Sequence, residues 1–266
     1  MVLVPNMNLE KKLIVSEIFG PTFQGEGRFI GQPAIFLRLG VCNLSCGFCD
    51  TKYTWDFKNY PIDKYIKRMY INEVYQNILD VSQEKIKRLV ITGGEPMLQV
   101  AKVIKLIGHL PVDWTYEIET AGTVPFIESD WIDNETGLGN PDNFRVPNIH
   151  FNVSPKLENS GNDFAKAIDF EVLDSYVNPN KFNMGYGSNY SADFKFIVGH
   201  PIDMIQVKMV VEELNIIPSR VFISPMGITS KDIIAITNLI ADMVIESGWN
   251  LTTRLHILAW ENERGR

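Results

Sequence analysis

Short apolar runs rich in β-formers alternate along this chain with stretches of helical spacing, and that alternation restricts the fold more than any other feature. The β-type runs are Leu13 to Phe19, Ala34 to Leu39, Arg88 to Thr92, Thr115 to Glu119, Ile149 to Val153, Phe194 to Val198, Val221 to Ser224 and Leu255 to Leu258. Between them, Val100 to Gly108, Ile202 to Leu214 and Lys231 to Glu246 place apolar residues three and four apart, and Ile71 to Val81 starts after Tyr70 with Asn72 as its cap. A βα-repeating order predicts an α/β fold, a sheet or barrel of parallel strands with helices against it. No internal repeat or low-complexity tail breaks the pattern, and one domain over residues 1–266 is expected. Residues 128–147 and 158–191 are rich in Asn, Asp, Gly and Pro and are expected as inserted loops, either variable surface or a lid over a substrate.

All three cysteines, Cys42, Cys46 and Cys49, fall within eight residues on a Gly-containing loop after a strand-like run. A C-x3-C-x2-C run can hold three irons of a cubane [4Fe–4S] cluster, and with no fourth cysteine one iron stays open to a ligand. A structural zinc site would need a fourth ligand, and none of His109, His150, His200 and His256 sits at finger-like spacing. The odd cysteine count and short spacings argue against a disulfide, and hydrophobic filler is not expected to cluster on such a loop.

Small and polar residues gather just past the carboxyl ends of the strands. Leu89 to Ile91 runs into Thr92-Gly93-Gly94-Glu95-Pro96, Tyr116 to Ile118 into Glu119-Thr120-Ala121-Gly122-Thr123, Phe151 to Val153 into Ser154-Pro155-Lys156, and Phe222 to Ile223 into Ser224-Pro225-Met226-Gly227. That rim is where parallel sheets and barrels bind ligands. Each motif has an ordinary alternative: the glycine pair as a turn, Glu119 as a cap or lysine partner, Ser154 and Lys156 as turn residues. Paired glycines also admit close approach of a ligand amine to backbone carbonyls, and a carboxylate at a strand end can accept ribose hydroxyls.

The composition favours small-molecule chemistry. A net charge of −7 opposes broad electrostatic binding to nucleic acid. No apolar run approaches the roughly 20 residues of a membrane span, and Met1 to Lys12 lacks the apolar core of a signal peptide, so a cytoplasmic setting with reduced thiols and no membrane contact is expected.

The cysteine run followed by Gly93-Gly94-Glu95-Pro96 resembles the radical S-adenosylmethionine superfamily. The resemblance implies that Cys42, Cys46 and Cys49 hold a [4Fe–4S] cluster whose open iron takes the amino and carboxylate groups of S-adenosylmethionine, and that the 5′-deoxyadenosyl radical so formed, rather than a side chain, abstracts hydrogen. Within the superfamily, Glu17 to Gly27, Gly31 to Leu39, Cys49-Asp50-Thr51, Trp55, ETAGT, SPK, DFKFIV, SPMG and Leu255 to Trp260 resemble the 7-carboxy-7-deazaguanine synthase family over nearly the whole chain, apart from the two insertions. That family converts 6-carboxy-5,6,7,8-tetrahydropterin to 7-carboxy-7-deazaguanine with loss of ammonia, on the path to queuosine and related 7-deazapurines, and regenerates S-adenosylmethionine.

The implied fold is an incomplete TIM-type barrel of about six parallel strands, with an N-terminal extension and inserted loops. Magnesium is implied as a further cofactor, with Thr51 as its ligand and Asp50 as a second candidate; few protein ligands suit that ion. For the cofactor, Gly93, Gly94 and Glu95 are expected at the methionine amine, Glu119, Ser154 and Lys156 along the ribose and carboxylate, and Phe48 beside the adenine. For the pterin, Gln24 and Glu26 match its donor–acceptor edge, Gly25 and Gly27 allow close backbone approach, Thr92 lies alongside, and Arg38 offers a planar fork to the carboxylate. Arg38 paired with a nearby acid is its alternative. A homodimer and a flavodoxin- or ferredoxin-type electron donor are also implied. The rival enzyme reading is a glycyl-radical activase, which shares the cysteine run and GGEP but acts on a partner protein, and the non-catalytic rival is a zinc-stabilised binding domain.

Overall fold

A computed structural model describes residues 11–125, 149–178 and 190–266. In chain order the elements are β1 (Lys12–Phe23), β2 (Pro33–Leu39), α1 (Ile62–Tyr65), β3 (Lys67–Tyr70), α2 (Ile71–Ser82), β4 (Arg88–Gly93), α3 (Val100–His109), β5 (Thr115–Thr120), β6 (Ile149–Val153), α4 (Phe164–Ala167), α5 (Phe170–Val177), β7 (Tyr190–Val198), α6 (Asp203–Glu213), β8 (Val221–Pro225), α7 (Ser230–Glu246), β9 (Asn250–Leu251) and α8 (Leu255–Trp260).

The strands form one sheet in the order β3-β1-β2-β4-β5-β6-β7-β8-β9. From β2 onward every pairing is parallel, while β1 runs antiparallel to both β2 and β3. The expected six parallel strands correspond to β2 and β4 to β8, with β9 adding a two-residue seventh. The sheet does not close, as in a partial barrel. The segment after β1 reaches the β9 end of the sheet: the Gly27 N–H donates to Thr252 Oγ1 (2.9 Å) and the Leu255 N–H to the Gly25 carbonyl (2.8 Å).

Side-chain alternation sorts the two faces of this sheet. One face carries Ile35, Leu37, Leu39, Leu89, Ile91, Ile118, Phe151, Phe194 and Phe196, all buried with Ile78 of α2, Val103 of α3, Val207 of α6 and Ile240 of α7. The opposite face carries Arg38, Thr92, Glu117, Glu119, Asn152, Asp193 and Lys195, most of them buried too. Buried charges of that kind are expensive unless paired, so the inner face is where the fold spends stability on function. No described helix is long and apolar enough to cross a membrane.

Four sequence expectations change. Leu255 to Leu258, expected as a strand, is the start of α8, because a four-residue apolar run carries no period long enough to separate the two states. The strand beside β8 is instead β9, and the edge strand β3 was not anticipated, its Lys-Arg-Met-Tyr sequence having no apolar alternation. The first helical residue of α2 is Ile71, with Tyr70 at the N-cap position and its N–H donating to Glu73 Oε2 (2.7 Å), so Asn72 lies in the first turn rather than at the cap. Finally, residues 158–178 are not a plain loop: they hold α4 and α5, and Tyr190 and Ser191 begin β7. The Asp residues that read as loop composition are caps. Asp163 accepts the Lys166 N–H, and Asp169 accepts those of Glu171 and Val172, contacts worth about 1 kcal/mol each. Residues 128–147 lie outside the described residues.

Candidate active site

The inner face opens at the carboxyl ends of the parallel strands into a cavity of about 830 Å³. Its wall brings together Gln24, Gly25, Glu26, Arg38, Cys42, Cys46, Phe48, Cys49, Asp50, Thr51, Thr92, Gly93, Gly94, Glu119, Ser154 and Lys156, residues that the sequence scatters over 133 positions. Gly27 and Glu95 are not on it.

Each cysteine sulfur has a hydrogen-bond donor. The Leu44 N–H points to Cys42 Sγ (3.4 Å), Asn162 Nδ2 to Cys46 Sγ (3.2 Å) and Trp55 Nε1 to Cys49 Sγ (3.3 Å). Donors placed this way stabilise thiolates, and three thiolates facing one cavity form the donor set of a [4Fe–4S] cluster with one open iron. Burial pushes the Cys42 thiol up to about 11, so iron must displace its proton on binding. The zinc alternative finds no support. Among the described residues no three His, Cys, Asp or Glu side chains converge on a single ion, and three of the four histidines are used elsewhere: His109 Nδ1 meets the Lys105 carbonyl, His150 lies between Ser191 and Asp193, and His200 Nδ1 accepts the Ile202 N–H.

Gly93 and Gly94 have a mechanical task beside any ligand. The Gly94 N–H donates to the Leu39 carbonyl (2.9 Å) and the Glu95 N–H to the Val41 carbonyl (2.8 Å). A Cβ on Gly94 would lie 1.9 Å from the Val41 oxygen, and one on Gly93, at φ +121°, 2.2 Å from the Leu39 oxygen. Neither backbone atom can move aside cheaply, so the glycines let β4 touch the root of the cysteine loop. Glu95 is engaged within the protein: its fully buried carboxylate accepts the Met97 and Ala121 N–H groups and the Thr120 hydroxyl.

The groups expected to meet a pterin are already engaged with protein partners. Gln24 Nε2 donates to Glu117 Oε1 (2.8 Å) and Glu119 Oε1 (3.1 Å), and Thr92 Oγ1 donates to Glu119 Oε2 (2.7 Å). Glu26 is gripped by Lys195 Nζ (2.5 Å) and Arg254 Nε (2.9 Å), and Arg254 also reaches Asp50. Burial works against the Glu26 charge, but Lys195, Arg254 and His256 outweigh it and hold the carboxyl far below its ordinary range. Arg38 pairs through Nε with Glu17 (2.7 Å), the alternative weighed for it, and among the described residues its terminal nitrogens have no other hydrogen-bond partner. Gly27, at φ +70°, packs where a Cβ would meet Asn152 Nδ2 at 2.8 Å, so it serves the fold rather than the cavity. Lys156 is folded onto Ser154, donating to its carbonyl (2.7 Å) and hydroxyl (2.8 Å).

Lys195, Arg254 and His256 line the cavity and were not singled out from sequence. For Lys195 a signal existed: in Asp193-Phe194-Lys195 the apolar residue faces the helices, so the flanking charges must face inward. Arg254 and His256 follow β9, whose two residues carry no readable pattern. His256 packs against Gly25, where any Cβ would fall 2.0 Å from its Nδ1, and burial lowers its pKa.

Beneath the cavity, Glu117 and Glu119 share the Gln24 amide. Burial, reinforced by the Glu119 charge, pushes the Glu117 carboxyl up to about 8. Glu117 Oε2 and Asn152 Oδ1 are both buried without a hydrogen-bond partner. Arg88 Nη1 lies 4.0 Å from Glu117 Oε2, and a protonated Glu117 carries a donor hydrogen that an ionised one lacks. In the unfolded chain this group ionises above roughly pH 4.3, whereas folded it keeps its proton up to about 8. The folded state binds the extra proton between those values, so stability falls as pH rises through the window and levels off above it. E117Q, neutral throughout, is expected to flatten that slope. Urea midpoints measured from roughly pH 5 to pH 9 should show the variant gaining on the parent as pH rises; parallel curves would refute a protonated Glu117.

A parallel half-barrel whose rim carries three cysteines beside a glycine-lined strand end defines an enzyme of the radical S-adenosylmethionine class. Residues 23–116 match the 4Fe-4S single cluster domain family. The chain is 32% identical over 267 residues to the 7-carboxy-7-deazaguanine synthase of Pyrobaculum aerophilum, covering 98% of this chain and 100% of that one. It is 28% identical over 273 residues to that of Bacillus subtilis, covering 97% and 100%. The crystal structure of QueE from Escherichia coli shares the fold, with a TM-score of 0.62 at 23% identity over 92% of this chain and 95% of that one. The chain belongs to the 7-carboxy-7-deazaguanine synthase family.

Proposed function

We propose that this chain converts 6-carboxy-5,6,7,8-tetrahydropterin to 7-carboxy-7-deazaguanine with release of ammonia, as its family membership indicates. The observation that carries the reading is the single cavity that has the three cysteines on one wall and Arg38, Lys195, Arg254 and His256 on the others. Cys42, Cys46 and Cys49 would hold a [4Fe–4S] cluster that, with S-adenosylmethionine, supplies a carbon radical able to abstract hydrogen.

The chain's own part is to bind, orient and exclude water. The backbone of Gly93 and Gly94 would border the methionine amine, Phe48 would flank the adenine, and Ser154 with Lys156 would lie along the ribose and carboxylate. Glu119 is fixed by Gln24 and Thr92 and would accept hydrogen bonds from the ribose hydroxyls. The terminal nitrogens of Arg38 offer the fork for the substrate carboxylate. With Gln24, Glu26 and Thr92 all engaged by protein groups, their role toward the pterin is to shape the wall, and His256 adds an imidazole beside Gly25. Thr51 Oγ1 lies 3.6 Å from Cys49 Sγ, next to Asp50, so a magnesium ion there would take its few oxygen ligands close to the cysteine loop. A flavodoxin- or ferredoxin-type donor and a homodimer belong to the same proposal and rest on the resemblance alone. Activation of a glycyl-radical partner is disfavoured, because relatives matched over nearly their full length bear the synthase name.

The test is anaerobic turnover of carboxytetrahydropterin by reconstituted protein with S-adenosylmethionine and a low-potential reductant. Product and ammonia in equal amounts are expected, with turnover falling at least several-fold on chelation of divalent metal and returning with magnesium. Cleavage of S-adenosylmethionine without product would overturn the substrate assignment.

A further inference from the structure

Ser160 and Asn162 grip the cysteine loop at three consecutive residues. The Ser160 carbonyl accepts the Gly47 N–H (2.8 Å), Asn162 Oδ1 accepts the Ser45 N–H (2.9 Å), and Asn162 Nδ2 donates to Cys46 Sγ (3.2 Å). The same Nδ2 lies 3.0 Å from Ser160 Oγ. Gly161, at φ +75°, supplies the left-handed turn that brings the asparagine back over the loop.

The Asn162 amide has one orientation. A backbone N–H can only donate, so the amide oxygen must face Ser45, and the NH2 group is thereby aimed at the Cys46 sulfur. Cys46 is 7% exposed, so little water competes for that contact. An electron added to an iron–sulfur cluster places more negative charge on the ligand sulfurs, and a fixed N–H donor stabilises the reduced form more than the oxidised one.

We propose that Asn162 is a positioning residue for the cluster on Cys42, Cys46 and Cys49, and that its amide hydrogen bond to Cys46 raises the cluster's reduction potential. The inference rests on the reading that these cysteines hold a [4Fe–4S] cluster. The step concerned is a one-electron reduction by a low-potential donor, in which no covalent bond forms or breaks. It gives residues 158–178 a part in the chemistry, since the turn that caps the loop is built into that segment.

The test is a redox titration of anaerobically reconstituted full-length protein with dithionite and mediators, followed by the reduced-cluster spin signal, for the parent chain, N162A and N162D. Aspartate keeps the shape and still accepts the Ser45 N–H, but it has no NH2 group and adds a negative charge. Both variants are expected to titrate at more negative potential, N162A by about tenfold in the reduction equilibrium, which is about 59 mV for one electron, and N162D further. Unchanged midpoints in both variants at full cluster content would overturn the proposal, leaving Asn162 a mechanical clamp. A shift in N162D alone would report the added charge and would equally overturn the donor role. Should N162A fail to take up a cluster, N162S, which likewise removes the NH2 group and adds no charge, is titrated in its place. There the donor principle requires a lower midpoint, and a parent-like N162S overturns the proposal. A parent chain that takes up no cluster would instead sink the underlying reading, and this inference with it.

Discussion

The E26Q variant is expected to lose about 3–5 kcal/mol of folding stability, the range for breaking a buried ion pair from one side. Glu26 sits between Lys195 and Arg254, whose side chains are 7% and 12% exposed. A glutamine keeps the shape but leaves two buried cations facing a neutral group. Arg254 retains Asp50, whereas Lys195 loses its only ion-pair partner among the described residues, so most of the cost falls on the lysine. The double variant E26Q/K195M should recover a substantial part of the loss, because the stranded charge is gone. The pH dependence has a definite sign. The folded-state pKa of Glu26 is depressed, so its contribution is complete above the unfolded value of roughly 4.3 and fades only as pH falls below it. Urea midpoints for parent and variant should stay apart by a constant amount from neutral pH down to roughly pH 5 and converge in acid. A difference under about 1 kcal/mol at pH 7 would mean that water solvates the lysine, and the triad would not be the structural unit described.

Removal of a cluster cysteine is the second large effect. C46A is expected to abolish turnover below detection while leaving most of the fold in place. Cys46 belongs to a small satellite cluster with Leu44, Ala121 and Ala167, separate from the main core, so the loss of one sulfur costs about 1–2 kcal/mol in packing. The chemistry fails for a different reason: two thiolates cannot hold a cubane, and Asn162 Nδ2 loses its acceptor. Far-ultraviolet dichroism close to that of the parent chain, absence of brown cluster absorbance and no product are expected together. Retained turnover would require another ligand to replace Cys46. Collapse of the fold, by contrast, would show that the cysteine loop is a folding element.

Much of the frame was legible because it depends on local alternation. Seven of the eight expected strands occur at or within a few residues of their predicted bounds, for β4 and β5 within one residue. The cysteine triplet and the glycine pair were legible because ligand number and close approach are written directly in residue type. The pairings inside the cavity were not. Gln24 meets carboxylates 93 and 95 residues away, and Glu26 meets cations 169 and 228 residues away. Nothing in the local sequence tells a glutamate aimed at a ligand from one held by two cations of the same protein. Arg38 illustrates the ambiguity, since one guanidinium both pairs with Glu17 and faces the cavity. The capped helices in 158–178 failed for another reason: aspartate marks loops and helix starts alike, and only the N–H groups that it accepts separate the two.

The contact at Gly94 has a consequence for motion. With no side chain between β4 and the loop at Val41, and with backbone bonds from Gly94 and Glu95 into the Leu39 and Val41 carbonyls, the loop is fastened to the sheet without a compliant spacer. Such a mount transmits the stiffness of two paired strands into a segment that would otherwise wander as surface loops do. Fluctuations of the rim then carry the root of the cysteine loop and the glycine-lined strand end together, so the separation between them is conserved.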